Sequence, residues 1–217
     1  MLRVLTTCSP IPCMHVTRTV DRGKKWVVHT REHKEAVVEL DLLDLYGHAS
    51  EWAGKKVCGA VSDMDAPTTC DGWTVRTLMN HMLETQRYFA GSARGEDVSL
   101  SQDPPDLLGA DPIADFDQGR AETLQTFGAP GVIDRTGPAL AIAFSDQLLH
   151  GWDLAISTGQ DATMPEGLPQ AAYSVVHGRF TDEQRKGIFK PEVPIAPKSS
   201  PQATLLAYTG RDPEAQM

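Results

Sequence analysis

Asp146 and His150 stand four residues apart in Asp146-Gln147-Leu148-Leu149-His150, so a helix there projects a carboxylate and an imidazole side by side. The small Ala139 and Ala143 share that meridian. Leu140, Phe144, Gln147, Leu148, Gly151 and Ala155 make the adjacent strip that should face a core. His81 lies at the edge of a second apolar stripe, between Leu78 and Thr85. A divalent ion such as zinc takes imidazole nitrogen and carboxylate oxygen at about 2.0–2.2 Å. An i, i+4 pair supplies two such ligands from one helix, a histidine of a facing helix the third, and a catalytic site leaves one position open. Asp153, one turn beyond His150, is placed to hydrogen-bond a ligand from behind. The same spacing also fits ordinary hydrogen-bonded histidines at a helix edge, and spacing alone leaves both readings open. His48 and His177 read as plain helix residues, and Trp52, Trp73 and Trp152 as core or interface anchors. Cys70 has no histidine or lysine close in sequence to activate it as a nucleophile.

The elements that must position these groups are helical. Residues 40–64 place Leu42, Leu45, Ala49, Trp52, Ala53, Val57 and Ala60 at three- and four-residue steps, one apolar stripe. Residues 65–72 read as a loop. Thr74 is an N-cap for a second helix with the stripe Val75, Leu78, Met82 and Phe89, closed by Gly91 and Gly95. Asp111 and Pro112 start a third helix that runs to Phe127. A turn-rich connection, 128–138, leads to a fourth helix from Pro138 to about Thr158, with Gly159 as its stop. Helical segments at 166–179 and 203–208 form a tail. Four long helices pack most naturally as a bundle, an all-α fold over residues 40–213. Residues 1–39 carry seven Lys and Arg against four acids, whereas the rest of the chain has 13 against 25. Apart from a short strand at 25–29, that stretch shows no sustained period and reads as a poorly ordered N-terminal extension.

Composition removes several function classes. The chain has 217 residues, 41% of them hydrophobic and 23% charged, which is enough for one ordinary core. Its net charge of −9 supplies no basic footprint for a nucleic acid. Neither a membrane span nor a secretory leader is legible, and the four cysteines lack any CxxC spacing, so the expectation is a cytoplasmic protein with reduced thiols. Neither a Ser-His-Asp order, a P-loop nor a Gly-rich dinucleotide motif suggests another chemistry.

The segment Cys70-Asp71-Gly72-Trp73-Thr74-Val75-Arg76-Thr77-Leu78-Met79-Asn80-His81 resembles the first signature of the DinB-like, mycothiol-dependent maleylpyruvate isomerase family. Asp146-Gln147-Leu148-Leu149-His150-Gly151-Trp152-Asp153-Leu154 resembles the second, and Gly210-Arg211-Asp212-Pro213 is similar to the ending of one actinobacterial metal-binding branch. The resemblance implies a DinB-like four-helix bundle in which His81, Asp146 and His150 hold a divalent metal, zinc first and nickel as the alternative. It also implies that a small thiol of the mycothiol type and an electrophilic substrate are the partners of a transferase or isomerase. The competing expectation is a non-catalytic metal-binding module or sensor. Two departures shape the transfer: the isomerase carries Glu where this chain has Asp146, and its separate C-terminal α+β domain has no room after Gly159. The oligomeric state stays open, a homodimer being one option.

Overall fold

In the computed structural model, which describes residues 14–17, 26–30, 37–186 and 188–215, the helical body begins where the sequence changes character. Asp41 caps helix α1 (Leu42–Ala60): its side chain accepts from the Asp44 amide at 2.9 Å, and the Asp44 carboxylate accepts in return from the Asp41 amide. Thr74 caps α2 (Val75–Arg94) as expected, and Gly95, in the left-handed region at φ 82°, ends it. Gly91 does not close the helix and is buried within its last turn. Asp111 and Pro112 start α3 (Pro112–Gly128).

Helix α1 is shorter than the expected 40–64, and helix α4 (Val132–Ser157) departs further from expectation. It begins six residues before Pro138, which sits inside it. A proline in a helix removes one amide donor and disturbs the preceding turn. That turn holds here because Val132 and Ile133 pack on the core, the Thr136 hydroxyl donates back to the Val132 carbonyl at 2.7 Å, and Arg135 donates to Gly131 at 2.8 Å. The expected connection over 128–138 is therefore only a short turn around Ala129 and Gly131.

Helices α1–α4 form a bundle in which α4 packs on both α1 and α2, and α3 closes the other side. The anticipated stripes are the ones buried: Leu45, Trp52 and Val57 on α1, Leu78 and Met82 on α2, Leu140, Phe144 and Leu148 on α4. Burying each such side chain stabilises the fold by about 1.5–3 kcal/mol. After α4 the chain stays helical, with α5 (Leu168–Val176), the single turn α6 (Asp182–Arg185) and α7 (Pro201–Tyr208); α5 packs on α4 and α7 on α5. Before the bundle, β1 (Met14–Thr17), β2 (Trp26–Thr30) and β3 (Val37–Leu40) pair in an antiparallel sheet in that order. β2 is the strand expected at 25–29. The expectation of a poorly ordered extension otherwise falls on residues 1–13, 18–25 and 31–36, outside the described residues. Among the described residues no helix is long and apolar enough to cross a membrane.

Candidate metal centre

Two helices and a loop build the site. The loop before α2 is tied back on itself, Thr68 donating to the Trp73 carbonyl and Trp73 to that of Cys70, both at 3.0 Å, with Gly72 in the left-handed region at φ 76°. It lays Thr69 and Cys70 against the C-terminal half of α4. His81 projects from the second turn of α2 and packs against Trp73, their ring centroids 5.0 Å apart. Asp146 and His150 come from adjacent turns of α4.

The structure brings the three expected residues together. Asp146 Oδ1 is 3.7 Å from His81 Nε2 and 3.5 Å from His150 Nε2, and the two imidazoles meet edge to face with centroids 4.9 Å apart. Donors each about 2.1 Å from a tetrahedral ion lie roughly 3.4 Å from one another. The observed separations suit one cation among these three atoms and are too long for strong direct hydrogen bonds.

The other atoms of the same groups are occupied. Asp146 Oδ2 accepts from the Thr85 hydroxyl at 2.8 Å and from Gln147 Nε2 at 3.3 Å. Gln147 is held in turn by Gln86, whose amide donates to its carbonyl oxygen. His150 Nδ1 donates to Asp153 Oδ2 at 2.9 Å, which fixes the tautomer that leaves Nε2 free to ligate. Asp153, only 1% exposed, also receives the Thr69 hydroxyl at 2.8 Å and both arms of Arg211, Nε at 2.9 Å and Nη2 at 2.7 Å. Arg211 Nε and Nη2 reach the two oxygens of Asp153 as a fork, the strong geometry for a guanidinium and a carboxylate.

The charges follow this wiring. Burial alone would raise the Asp146 carboxyl, yet His150, His81 and Thr85 outweigh it and hold it below its ordinary range. Burial would lower His81, and the Asp146 carboxylate outweighs that, so His81 is raised. Asp153 is depressed strongly because Arg211 and His150 overcome its burial. Burial and the Asp153 charge push the Cys70 thiol up to about 12.

A second set of donors, Cys70, His150 and Asp153, also lies close enough to share an ion. Arg211 argues against it, since its guanidinium already sits on Asp153 where a cation would have to bind. His81, Asp146 and His150 line a cleft of about 840 Å³, which Cys70 and Asp153 also border and whose apolar wall includes Phe89, Ile142, Leu149, Trp152, Phe180 and Phe189.

Trp52 and Trp152 are core residues, as expected, while Trp73 is half-buried against His81. His48 lies on α1 away from the cleft, whereas His177, expected within a helix, is the cap residue just beyond α5 and meets Tyr173 and Tyr208 in tilted ring contacts. Thr69, Thr85, Gln147 and Arg211 are parts of the site that the sequence reading did not assign. Arg211 had a signal in the Gly210-Arg211-Asp212 ending, but nothing local tells which carboxylate it meets. Cys70 does lie beside a histidine, His150, that is distant in sequence.

A helical bundle with two histidines and one aspartate converging at the edge of its core defines a DinB-like metal-binding domain. The sequence model of the mycothiol maleylpyruvate isomerase N-terminal domain matches residues 48–155, and through this segment the chain belongs to that family. Family and donor set together point to a divalent metal. Two proteins of Mycobacterium tuberculosis are similar to it: uncharacterized protein MT0763 of strain CDC 1551 / Oshkosh and uncharacterized protein Rv0738 of strain ATCC 25618 / H37Rv. Each is 25% identical over 162 residues, which is 68% of this chain and 85% of the relative. No solved structure gives a significant match.

Proposed function

We propose that the protein is a metal-dependent thiol transferase or isomerase, with zinc or a similar divalent ion held by His81 Nε2, Asp146 Oδ1 and His150 Nε2. The observation that carries this reading is the accounting of donor atoms: Asp146 Oδ2 and His150 Nδ1 are taken up by Thr85 and Asp153, and the donor atoms left over lie close together in a largely apolar cleft. A divalent cation held by these residues would lower the pKa of a coordinating small thiol, mycothiol by family likeness, and so favour its nucleophilic thiolate. The chain's own residues do the positioning. Thr85 and Gln147 aim Oδ1, Asp153 fixes the His150 tautomer, and Trp73 braces the His81 ring. The Phe89, Trp152 and Phe189 wall would take the apolar body of an electrophile.

Metal content measured by elemental analysis on protein purified without a histidine tag should give about one divalent ion per chain, and His150→Ala should lose it. A small thiol titrated into the cobalt-substituted protein should then change the visible spectrum. A His150→Ala protein with stoichiometric metal would refute the ligand assignment. An unchanged spectrum at saturating thiol would leave a non-catalytic metal-binding module in place of an enzyme.

A further inference from the structure

Asp153 has more partners than orienting one imidazole requires. Besides His150 it receives Thr69 from the loop before α2 and Arg211 from beyond the last helix, 58 residues away in sequence. The backbone that delivers Arg211 is a defined turn. At the end of α7 the Gly210 amide donates to the Ala207 carbonyl at 3.0 Å and the Arg211 amide to that of Leu206 at 2.8 Å, the paired bonds of a Schellman motif. Gly210 takes the left-handed conformation this motif needs, φ 77°, and a Cβ there would lie 2.5 Å from the Lys190 carbonyl oxygen. Lys190 is itself tied to the Thr69 carbonyl and the Asp71 carboxylate, at 3.2 and 2.7 Å. The turn is thus braced against the loop that carries Thr69, and it inserts a guanidinium whose side chain is only 14% exposed.

We propose that Arg211 is a positioning residue of the metal centre: its fork clamps Asp153, so that the carboxylate keeps the His150 Nδ1 proton and turns His150 Nε2 toward Asp146 and His81. This inference rests on the metal reading above. A guanidinium suits the task because it fills both oxygens of Asp153 in one plane and fixes the carboxylate's rotation, which an ammonium cannot do. It also takes the place that a cation would need at Cys70, His150 and Asp153, and so confines ion binding to a single set of donors. The C-terminal segment thereby becomes part of a site whose ligands all lie on α2 and α4.

The test uses the full chain, with cobalt(II) affinity measured by competition against a chelator. Arg211→Gln is expected to weaken cobalt binding severalfold, less than the ~10- to 100-fold loss on removing a direct partner of a ligand, because it acts through Asp153. Arg211→Lys keeps the charge without the fork and should fall between the two. In an Asp153→Asn background Arg211→Gln should add little, because the two changes break one contact. Nitrogen-15 spectra of the metal-free protein provide a second readout: the Nδ1-protonated tautomer of His150 should dominate in the wild type and become mixed in Arg211→Gln. Should Arg211→Gln fail to fold, Arg211→Lys carries both measurements. A variant that melts lower yet binds cobalt at wild-type affinity with an unchanged tautomer overturns the proposal, since a purely structural ion pair would behave that way. A wild type that takes up no cobalt refutes the metal reading, and the tautomer spectra then decide on their own whether Arg211 holds His150 through Asp153.

Discussion

Replacing Thr85 by Val removes one hydroxyl and keeps the branched shape of the side chain. That hydroxyl lies 2.8 Å from Asp146 Oδ2 and 3.0 Å from the Met82 carbonyl, and its single proton belongs on the charged acceptor. A hydrogen bond to a charged group contributes about 1.5–3 kcal/mol. Gln147 Nε2, at 3.3 Å, remains as a weaker partner, so the lower half of that range applies. Loss of such a support behind a ligand lowers metal affinity about 10- to 100-fold, which converts to roughly 1.4–2.7 kcal/mol. The two ranges overlap, as they should if the hydroxyl acts on the ion only through Asp146. Cobalt(II) binding by chelator competition should therefore weaken at least tenfold in Thr85→Val and stay near wild type in Thr85→Ser, which restores the oxygen. The metal-free Val variant should also melt about 2–8 °C lower, from a loss of about 1–2 kcal/mol. A folded Thr85→Val protein with wild-type cobalt affinity would refute the reasoning, because Asp146 Oδ1 would then not depend on how Oδ2 is held.

Two further outcomes follow from the packing and the charges. At Gly151 an added Cβ would lie 2.7 Å from Trp52 Cζ3 and 3.1 Å from the Ala53 Cβ, so Gly151→Val should force α1 and α4 apart. The expected cost is about 2 kcal/mol, or a melting temperature lower by about 4–8 °C in calorimetry; an unchanged melt would mean that the Trp52 ring yields freely. The stability of the metal-free protein should peak in mildly acidic solution. His81 is raised in the folded state, so its contribution is complete below its unfolded pKa of about 6.5 and is lost as pH rises through the folded value. Asp146 and Asp153 are lowered, so theirs is complete above about 3.9 and is lost as pH falls through the folded values. A melting temperature that climbs steadily from pH 6 to 8 without metal would refute the His81–Asp146 pairing.

The parts of the site that were legible are the ones whose geometry is local. Asp146, His150 and Asp153 share one helix, and helical periodicity alone sets them on neighbouring turns; Thr74 fixes where α2 starts and hence where His81 projects. Arg211 and Thr69 were not legible as partners of Asp153, because only the packing of the tail and of a loop on α4 decides that contact. Pro138 misled for a related reason. Its local preference marks a helix start, but burial of Val132 and Ile133 against the core keeps the preceding turn helical. The strands beside β2 are four residues each, too short for alternation to register before pairing is seen.

The resemblance set Asp146 against a glutamate in the isomerase, one methylene longer, and raised the question of reach. The packing of α2 on α4 answers it. Gln147 Nε2 donates to the Met82 carbonyl at 3.3 Å, so the side chain next to Asp146 bonds directly to the backbone of the helix that carries His81. The two helices are close enough for a short carboxylate to stand between both imidazoles while its second oxygen still meets Thr85 of α2. In the metal reading, Asp146 therefore reaches both imidazoles at this helix spacing. The segment after α7 takes part as well, since its Arg211 holds the Asp153 carboxylate that meets His150.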